Sequence, residues 1–419
     1  RMRLHLLITL LTAAVVFLCA CGKTSFPSSP AGERALPSAP ADTGESAAPE
    51  AADPGGYTGT YTPIGGNDGR LLAVDLFTDR GFYTLSDDKT LIEQEIVPEE
   101  TEADEESADG GENGDGAPRT QLIELWEKKL YFTDYAGNTS PCAEYTPFAP
   151  EIPEGHDSRV YLTGMDAMPD GNIAMVCVLN ESWDGSPEGT EKYSDLYYDY
   201  LQSSYRVFLR IIDQQGREKE LTELFVPINE PGAKRSAFCP TAMCTDGEGN
   251  VVIGGGNSAF VYDRQGELLF TFRLPGKLSA LMHLSDGRAA AIVGNDNGGR
   301  TLCTFDLPDA ALNAGAEIPE RAVSVIPGVG DDLCYTVGTD LYGMDADSGE
   351  SRIILNWLDC GVAPCDLGRC AVLPDGSVVN VLNRVDGEKL TPQPCIMTVA
   401  KAKDGEGGTR RVLTLAAAQ

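Results

Sequence analysis

Beyond residue 56 the chain sets apolar and polar positions in short runs, each cut by a turn signal rich in Asp and Gly. Alternating runs predict strands buried on one face, and short unbroken apolar runs between turns predict strands buried on both. No stretch after the first 20 residues sustains a helical period, so the pattern predicts an all-β body. The recurring unit is an Asp-Gly pair inside an apolar stretch. It reads GGNDGRLLAV around Asp68, AMPDGNIAMVCVL around Asp170 and CTDGEGNVVIGG around Asp246. It reads HLSDGRAAAIVG around Asp286 and VLPDGSVVNVL around Asp375. Asp-Gly between apolar runs is a strong hairpin signal, because Gly takes φ > 0 without steric cost.

A second turn follows most of these, of the form Asp-x-x-Gly. It occurs at Asp134 to Gly137, Asp213 to Gly216, Asp263 to Gly266 and, one residue longer, Asp345 to Gly349. Each unit then reads strand, Asp-Gly turn, strand, link, strand, second turn, strand. From Asp246 to Asp286 is 40 residues, from Asp286 to Asp375 is 89, and from Asp170 to Asp246 is 76. The last two fit a pair of units and one unit with a long insertion. Four strands in about 40 to 45 residues is the signature of a β-propeller blade. The prediction is a β-propeller over residues 57–416 with six or seven four-stranded blades. The recognisable units are 57–148, 155–230, 238–275, 278–324, 325–366 and 367–416, the first long enough to hold a seventh. The Gly-His and Trp-Asp pairs of WD40 repeats are missing, and a set of β-sandwiches with similar turns is the competing architecture.

The first 20 residues belong to a different class. Arg1 and Arg3 precede a nearly unbroken apolar run from Leu4 to Leu18. A basic start, an apolar run shorter than the roughly 20 residues of a spanning helix and small residues at its end describe a secretory signal. The run closes on Leu18-Cys19-Ala20-Cys21, which resembles the lipobox of bacterial lipoproteins. That resemblance implies cleavage before Cys21 and fatty acylation of Cys21, with durable attachment to the outer face of the cytoplasmic membrane once two or more chains are present. Residues 21–56 are rich in Ser, Pro, Ala and Gly and poor in large apolar side chains. Such a stretch cannot bury enough surface to offset its ordering entropy, so it is expected to be a disordered tether.

Charge narrows the partners. Asp and Glu number 64 against 32 Lys and Arg, a net of -32. A surface this acidic repels nucleic acid and anionic lipid headgroups. Part of the excess is local, in an insertion over 97–118 expected to be a disordered acidic loop. Its carboxylates lack the spacing of a known calcium loop. Of the 12 cysteines, ten lie beyond Cys21. Several, such as Cys177 and Cys303, fall inside apolar runs, where Cys behaves as a small buried hydrophobe. Free core thiols are the favoured reading, with one or two disulfides as the alternative.

The chain shows no catalytic or cofactor motif. There is no Gly-x-Ser-x-Gly elbow, no Walker A loop and no His-Glu-x-x-His, so neither cofactor nor metal is expected. His156 and His283, far apart in sequence, do not by themselves suggest a triad. Carboxylates at hairpin turns are mostly turn formers. The segment that reads as more than scaffold is an aromatic insertion over 181–203 carrying Trp183, Tyr193, Tyr197, Tyr198 and Tyr200. Tyr and Trp give large contact area at low rotamer cost, which suits a small solute, glycan or peptide ligand. The alternative is that these rings pin the loop to a neighbouring blade.

Residues 411–419 form an apolar run, expected to be a closing strand or the opening strand of a further domain. The order of lipobox, tether, propeller and this strand resembles the front part of extracellular solute-binding lipoproteins of gut Clostridia. In those, a propeller precedes a two-lobed binding domain that serves an ABC transporter permease. The resemblance implies a membrane-anchored, extracytoplasmic binding module without enzymatic activity of its own. A propeller-fold glycan lyase or hydrolase and a cell-envelope assembly scaffold are the alternatives.

Overall fold

The computed structural model describes residues 57–65, 74–96, 119–187, 201–227, 238–294, 298–360, 369–385 and 392–401. Every regular element among them is a strand, and the strands form six four-stranded antiparallel sheets. Strand β1 (Tyr57–Pro63) is followed by a first blade of β2 (Leu76–Phe77), β3 (Gly81–Ile96), β4 (Arg119–Asp134) and β5 (Thr139–Pro141). The second blade holds β6 (His156–Ala167), β7 (Ile173–Asp184), β8 (Leu201–Ile212) and β9 (Glu218–Leu224). The third holds β10 (Ala242–Thr245), β11 (Val251–Gly255), β12 (Ser258–Tyr262) and β13 (Leu268–Arg273). The fourth is β14 (Lys277–His283), β15 (Ala289–Gly294), β16 (Arg300–Asp306) and β17 (Ala311–Ile318). The fifth is β18 (Val323–Pro327), β19 (Leu333–Val337), β20 (Asp340–Met344) and β21 (Ser351–Asn356). The sixth runs β22 (Arg369–Val372), β23 (Val378–Val385) and β24 (Pro392–Lys401), and takes β1 as its fourth strand.

The first strand of one blade lies beside the first strand of the next, from β2 and β6 through to β18 and β22. The first strands therefore line the centre of a six-bladed propeller and the fourth strands its rim. This geometry explains the two kinds of apolar pattern. Middle strands are covered on both faces by neighbouring blades, so Ile173 to Leu179, Val251 to Gly255 and Ala289 to Val293 are buried without a break. Rim strands have one wet face, and β9 and β13 alternate instead.

The core is correspondingly divided into six clusters, one in each gap between blades. Val176, Val178, Val207 and Leu209 of the second blade meet Val251, Ile253 and Phe260 of the third. Cys334, Leu341 and Trp357 of the fifth meet Val378, Met397 and Val399 of the sixth. The ring closes where Phe82 and Val74 meet Val381 and Ile396. Burial of this kind contributes about 25 cal/mol per Å² of apolar surface, and each blade depends on both neighbours for it.

Closure also comes from backbone pairing between the two ends of the propeller. β1 pairs with β24 along its whole length, from Tyr57 against Lys401 to Pro63 against Cys395. One sheet thus contains both ends of the propeller chain, and the ring has no open blade edge at that point. The sequence tally places residues 57–63 in the first unit, whereas the structure gives them to the sixth blade. Among the described residues the first unit forms no seventh blade, and part of its surplus length goes into β3 and β4, each 16 residues long. Residues 1–56, 97–118 and 402–419 lie outside the described residues, and with them the signal, the tether, the acidic insertion and the run 411–419.

The turns behave as their residues dictate. At Met168 to Gly171, Leu284 to Gly287 and Leu373 to Gly376 the fourth residue donates to the first carbonyl, and that Gly has a φ of +79 to +87°. The third blade differs. Its positive φ falls at Gly249, not at Gly247 of the Asp-Gly pair. Asp246 instead accepts Asn250 N at 2.8 Å, as Asp134, Asp213 and Asp263 accept the amide four residues on. The Asp-x-x-Gly chemistry has moved to the first turn of this blade. Gly247 serves another need. A Cβ there would lie 3.2 Å from Gly287 Cα, and the Gly247 amide donates to Gly287 O at 2.7 Å.

The nine described cysteines are free, and all but Cys239 are buried. Burial pushes the Cys142 and Cys360 thiols up to about 11 and those of Cys177, Cys334 and Cys370 to about 12. The thiolate is the reactive form. Among these nine, alkylation of the native protein at pH 8 followed by peptide mass mapping is expected to mark Cys239 first. Equal labelling of Cys177 would contradict the buried-thiol assignment. Deleting residues 57–63 is expected to lower the melting temperature by roughly 5–10 °C, because β24 keeps only β23 as a partner and the ring loses its closure. An unchanged melting curve would show that β1 does not close the ring.

Candidate functional site

Antiparallel order places the loops by rule. The links between first and second strands and between third and fourth strands share one face of the ring. The links between second and third strands share the opposite face. In the third, fourth and fifth blades the middle strands run 5 to 7 residues. In the first blade they run 16 and in the second 12. Their register is continuous, from Gly81 against Asp134 to Ile96 against Arg119, and from Ile173 against Ile212 to Asp184 against Leu201. Two adjacent blades therefore extend well past the others on one face. Tyr193, Tyr197, Tyr198 and Tyr200 belong to the connection beyond Asp184 and lie outside the described residues, as does Cys21.

Trp183 is described, and it stands on the extended part of the second blade. Its indole stacks on His156 of β6, with ring centroids 4.8 Å apart and planes 10° apart. The two residues are direct cross-strand partners. Pairing also aligns Ser158 with Glu181 and Glu181 with Ser204, on the same face as Trp183. That face continues downward into Leu179, Cys177 and Phe208, which pack against the first blade. Arg206 lies between the polar and apolar parts. It makes two hydrogen bonds to Glu223, at 2.9 and 2.6 Å, and its guanidinium sits 5.1 Å above the Phe208 ring. The Glu181 side chain is only 6% exposed, and its Oε1 is 3.7 Å from Arg206 Nη1. That is an ion-pair distance but too long for a hydrogen bond.

A second constellation forms at the centre. Asp166 is the last residue but one of β6, Thr245 ends β10 and His283 ends β14, so the ends of three successive first strands bring them together near the centre of the ring. Asp166 Oδ2 accepts Thr245 N at 2.8 Å and Thr245 Oγ1 at 3.1 Å, and lies 3.4 Å from His283 Nδ1. The hydrogen bond to Asp166 raises the His283 pKa above its ordinary 6.5, against the opposing effect of burial and with the help of the Asp166 charge. The imidazole stays 41% exposed. A carboxylate that fixes a half-exposed imidazole orients it for proton transfer. Sequence separation hid this pair, since the two residues come from the second and fourth blades.

The Asp-Gly carboxylates prove to be turn formers. Asp170 accepts Asn172 N, Asp286 accepts Arg288 N, and Asp375 accepts both Ser377 N and Ser377 Oγ. Hydrogen bonds to the ionised form hold Asp375 and Asp134 below the usual carboxylate range. Between the third and fourth blades a cleft of about 500 Å³ is lined by Asp246, Glu248, Asp286, Arg288 and Asp306. Among the described residues, no three His, Cys, Asp or Glu side chains converge as a metal ion would require.

No protein-family model matches the chain, and no curated protein matches it. Among solved structures, the periplasmic gluconolactonase PpgL of Pseudomonas aeruginosa aligns at 14% identity. It covers 64% of this chain and 77% of its own, with a TM-score of 0.34. A protein of unknown function from Bacteroides caccae aligns at 11% identity over 62% of this chain and 81% of its own, with a TM-score of 0.23.

The central pair gives a pH signature. A histidine whose folded pKa is raised contributes stability that is fully present below its unfolded value and is lost as pH rises through the folded value. His283→Gln keeps a hydrogen-bonding side chain and removes the charge. Its melting temperature is expected to fall furthest below that of the parent near pH 5.5, with the gap narrowing by pH 8.5. A gap that widens with pH would contradict the assignment.

Proposed function

We propose that this chain is a lipid-anchored, extracytoplasmic binding propeller that holds a small solute, glycan or peptide ligand near the membrane. On this reading it is the front module of a solute-binding lipoprotein that works with an ABC transporter permease. The observation that carries the binding role is the pair of elongated hairpins on one face, built on blades whose inner ends are as compact as the rest. The blades of five- to seven-residue middle strands pack without such length, so the ring itself does not require it. Function is commonly placed on such excursions from a rigid scaffold. The anchoring role rests on the lipobox-like Leu18-Cys19-Ala20-Cys21 and the Ser-, Pro- and Ala-rich segment after it. A tether of about 35 residues would let the ring sample tens of Å above the lipid.

The Asp166 and His283 pair favours a second reading, a propeller-fold glycan lyase or hydrolase. There the oriented imidazole would move a proton at a bound sugar. The turn carboxylates are poor candidates for that work, since their oxygens are already engaged by their own turns.

The anchor is tested by expressing the full chain and its Cys21→Ala variant in a bacterium that processes lipoproteins. The parent is expected in the membrane fraction and the detergent-rich phase. The variant is expected to shift almost entirely to the aqueous phase. Retention of Cys21→Ala in the membrane would refute lipidation at Cys21.

A further inference from the structure

Three buried side-chain atoms of the second blade's extended part have no hydrogen-bond partner: His156 Nδ1, Asn180 Oδ1 and Glu181 Oε1. Two of them, on His156 and Glu181, share the face that carries Trp183, as diagonal neighbours across β6 and β7. A buried polar atom without a partner is costly, and native structures keep few of them. Here two stand together beside a half-buried indole, while, Asn180 aside, the other such atoms of the first two blades, on Thr84 and Arg210, lie apart on β3 and β8. Arg206 is the nearest cation to Glu181, but its hydrogen bonds go to Glu223.

We propose that this face of the second blade is a saccharide seat, with Trp183 as the stacking platform and Glu181 and His156 as hydrogen-bond acceptors for sugar hydroxyls. The inference rests on the binding-propeller reading and names its ligand class and its residues. The chemistry selects the class. A carboxylate oxygen can only accept, so the ligand must bring donors. A cationic ligand would meet Arg206, 3.7 Å from Glu181 Oε1. An anionic ligand would meet Glu181 itself and a chain of net charge -32. A neutral polyhydroxylated ring avoids both and offers hydroxyl donors at its edge and an apolar C–H face for the indole. His156 holds that indole in place by stacking, so little side-chain freedom remains to be lost on binding. Ser158 and Ser204, in register with Glu181, add short hydroxyls on the same face.

The test uses the full chain and four neutral probes: cellotetraose, xylotetraose, mannotetraose and maltotetraose. Binding is read by calorimetry and by tryptophan fluorescence. At least one probe is expected to bind, and Glu181→Gln and Trp183→Phe are each expected to weaken it tenfold or more. Glu181→Gln keeps the shape of the site, and Trp183→Phe keeps an aromatic ring of smaller area. Glu181→Met serves as a separate stability readout. It removes the oxygen that lacks a hydrogen bond, and Arg206 keeps its two hydrogen bonds to Glu223, so the ligand-free melting temperature is expected to hold or rise while binding is lost. A clear fall in that temperature would make Glu181 a structural residue and overturn the proposal. A probe that binds the parent, Glu181→Gln and Trp183→Phe equally well would overturn this seat and leave the binding-propeller reading standing. Binding of none of the four, with the protein folded, would overturn the saccharide class. The fate of Cys21→Ala is independent of all these outcomes.

Discussion

Face-to-face packing between neighbouring blades is the interaction on which everything else in this molecule depends. No blade owns a core. Each contributes half of two clusters, so a blade removed from the ring would expose both faces of its middle strands. The arrangement is stable only when it closes, and closure falls to seven residues, Tyr57–Pro63, paired with the last described strand. Those residues and β24 lie at opposite ends of the propeller. Their pairing is a long-range contact whose loop entropy must be met before the last gap between blades can be filled.

Turn chemistry sets how tightly the blades can meet. Asp side chains that accept their own turn's amides hold each hairpin in one conformation, and glycines supply the left-handed residue each turn needs. At the third and fourth blades the requirement is stricter. Gly247 and Gly287 approach so closely that a single added carbon on either would meet the other's backbone near 3.1 to 3.2 Å. The same turns border the acidic cleft between these blades, so the shape of that cleft follows from turn geometry.

A ring of this kind can carry strand extensions beyond the length its packing requires. The lower portions of β3, β4, β7 and β8 join the shared clusters, while their paired upper portions extend one face beyond the shorter blades. Polar groups can therefore be left unpaired on the second blade at a cost the closed ring tolerates. The centre of the ring offers a different environment. There three successive first strands converge, and Asp166 ties Thr245 and His283 together across blades that are far apart in sequence.

The chain's own pattern determined the all-β class, the repeat and most of the described turn positions. These follow from local physics: side-chain period, the φ freedom of Gly and the reach of an Asp side chain over its own turn. Trp183 was legible for the same reason, as a large aromatic beyond the end of an apolar run. Its neighbours were not. His156 and Glu181 join it only through strand register, and register is fixed by which faces are buried between blades. The count of six blades, the exchange of Tyr57–Pro63 into the last sheet and the pairing of Asp166 with His283 likewise belonged to the tertiary structure alone. Each is a contact between segments distant in the chain. The offset turn at Asp246 is the instructive middle case. Its Asp-x-x-Gly signature was present in the residues, but only the close approach of Gly247 to Gly287 decided which glycine turns the chain and which makes room for the next blade.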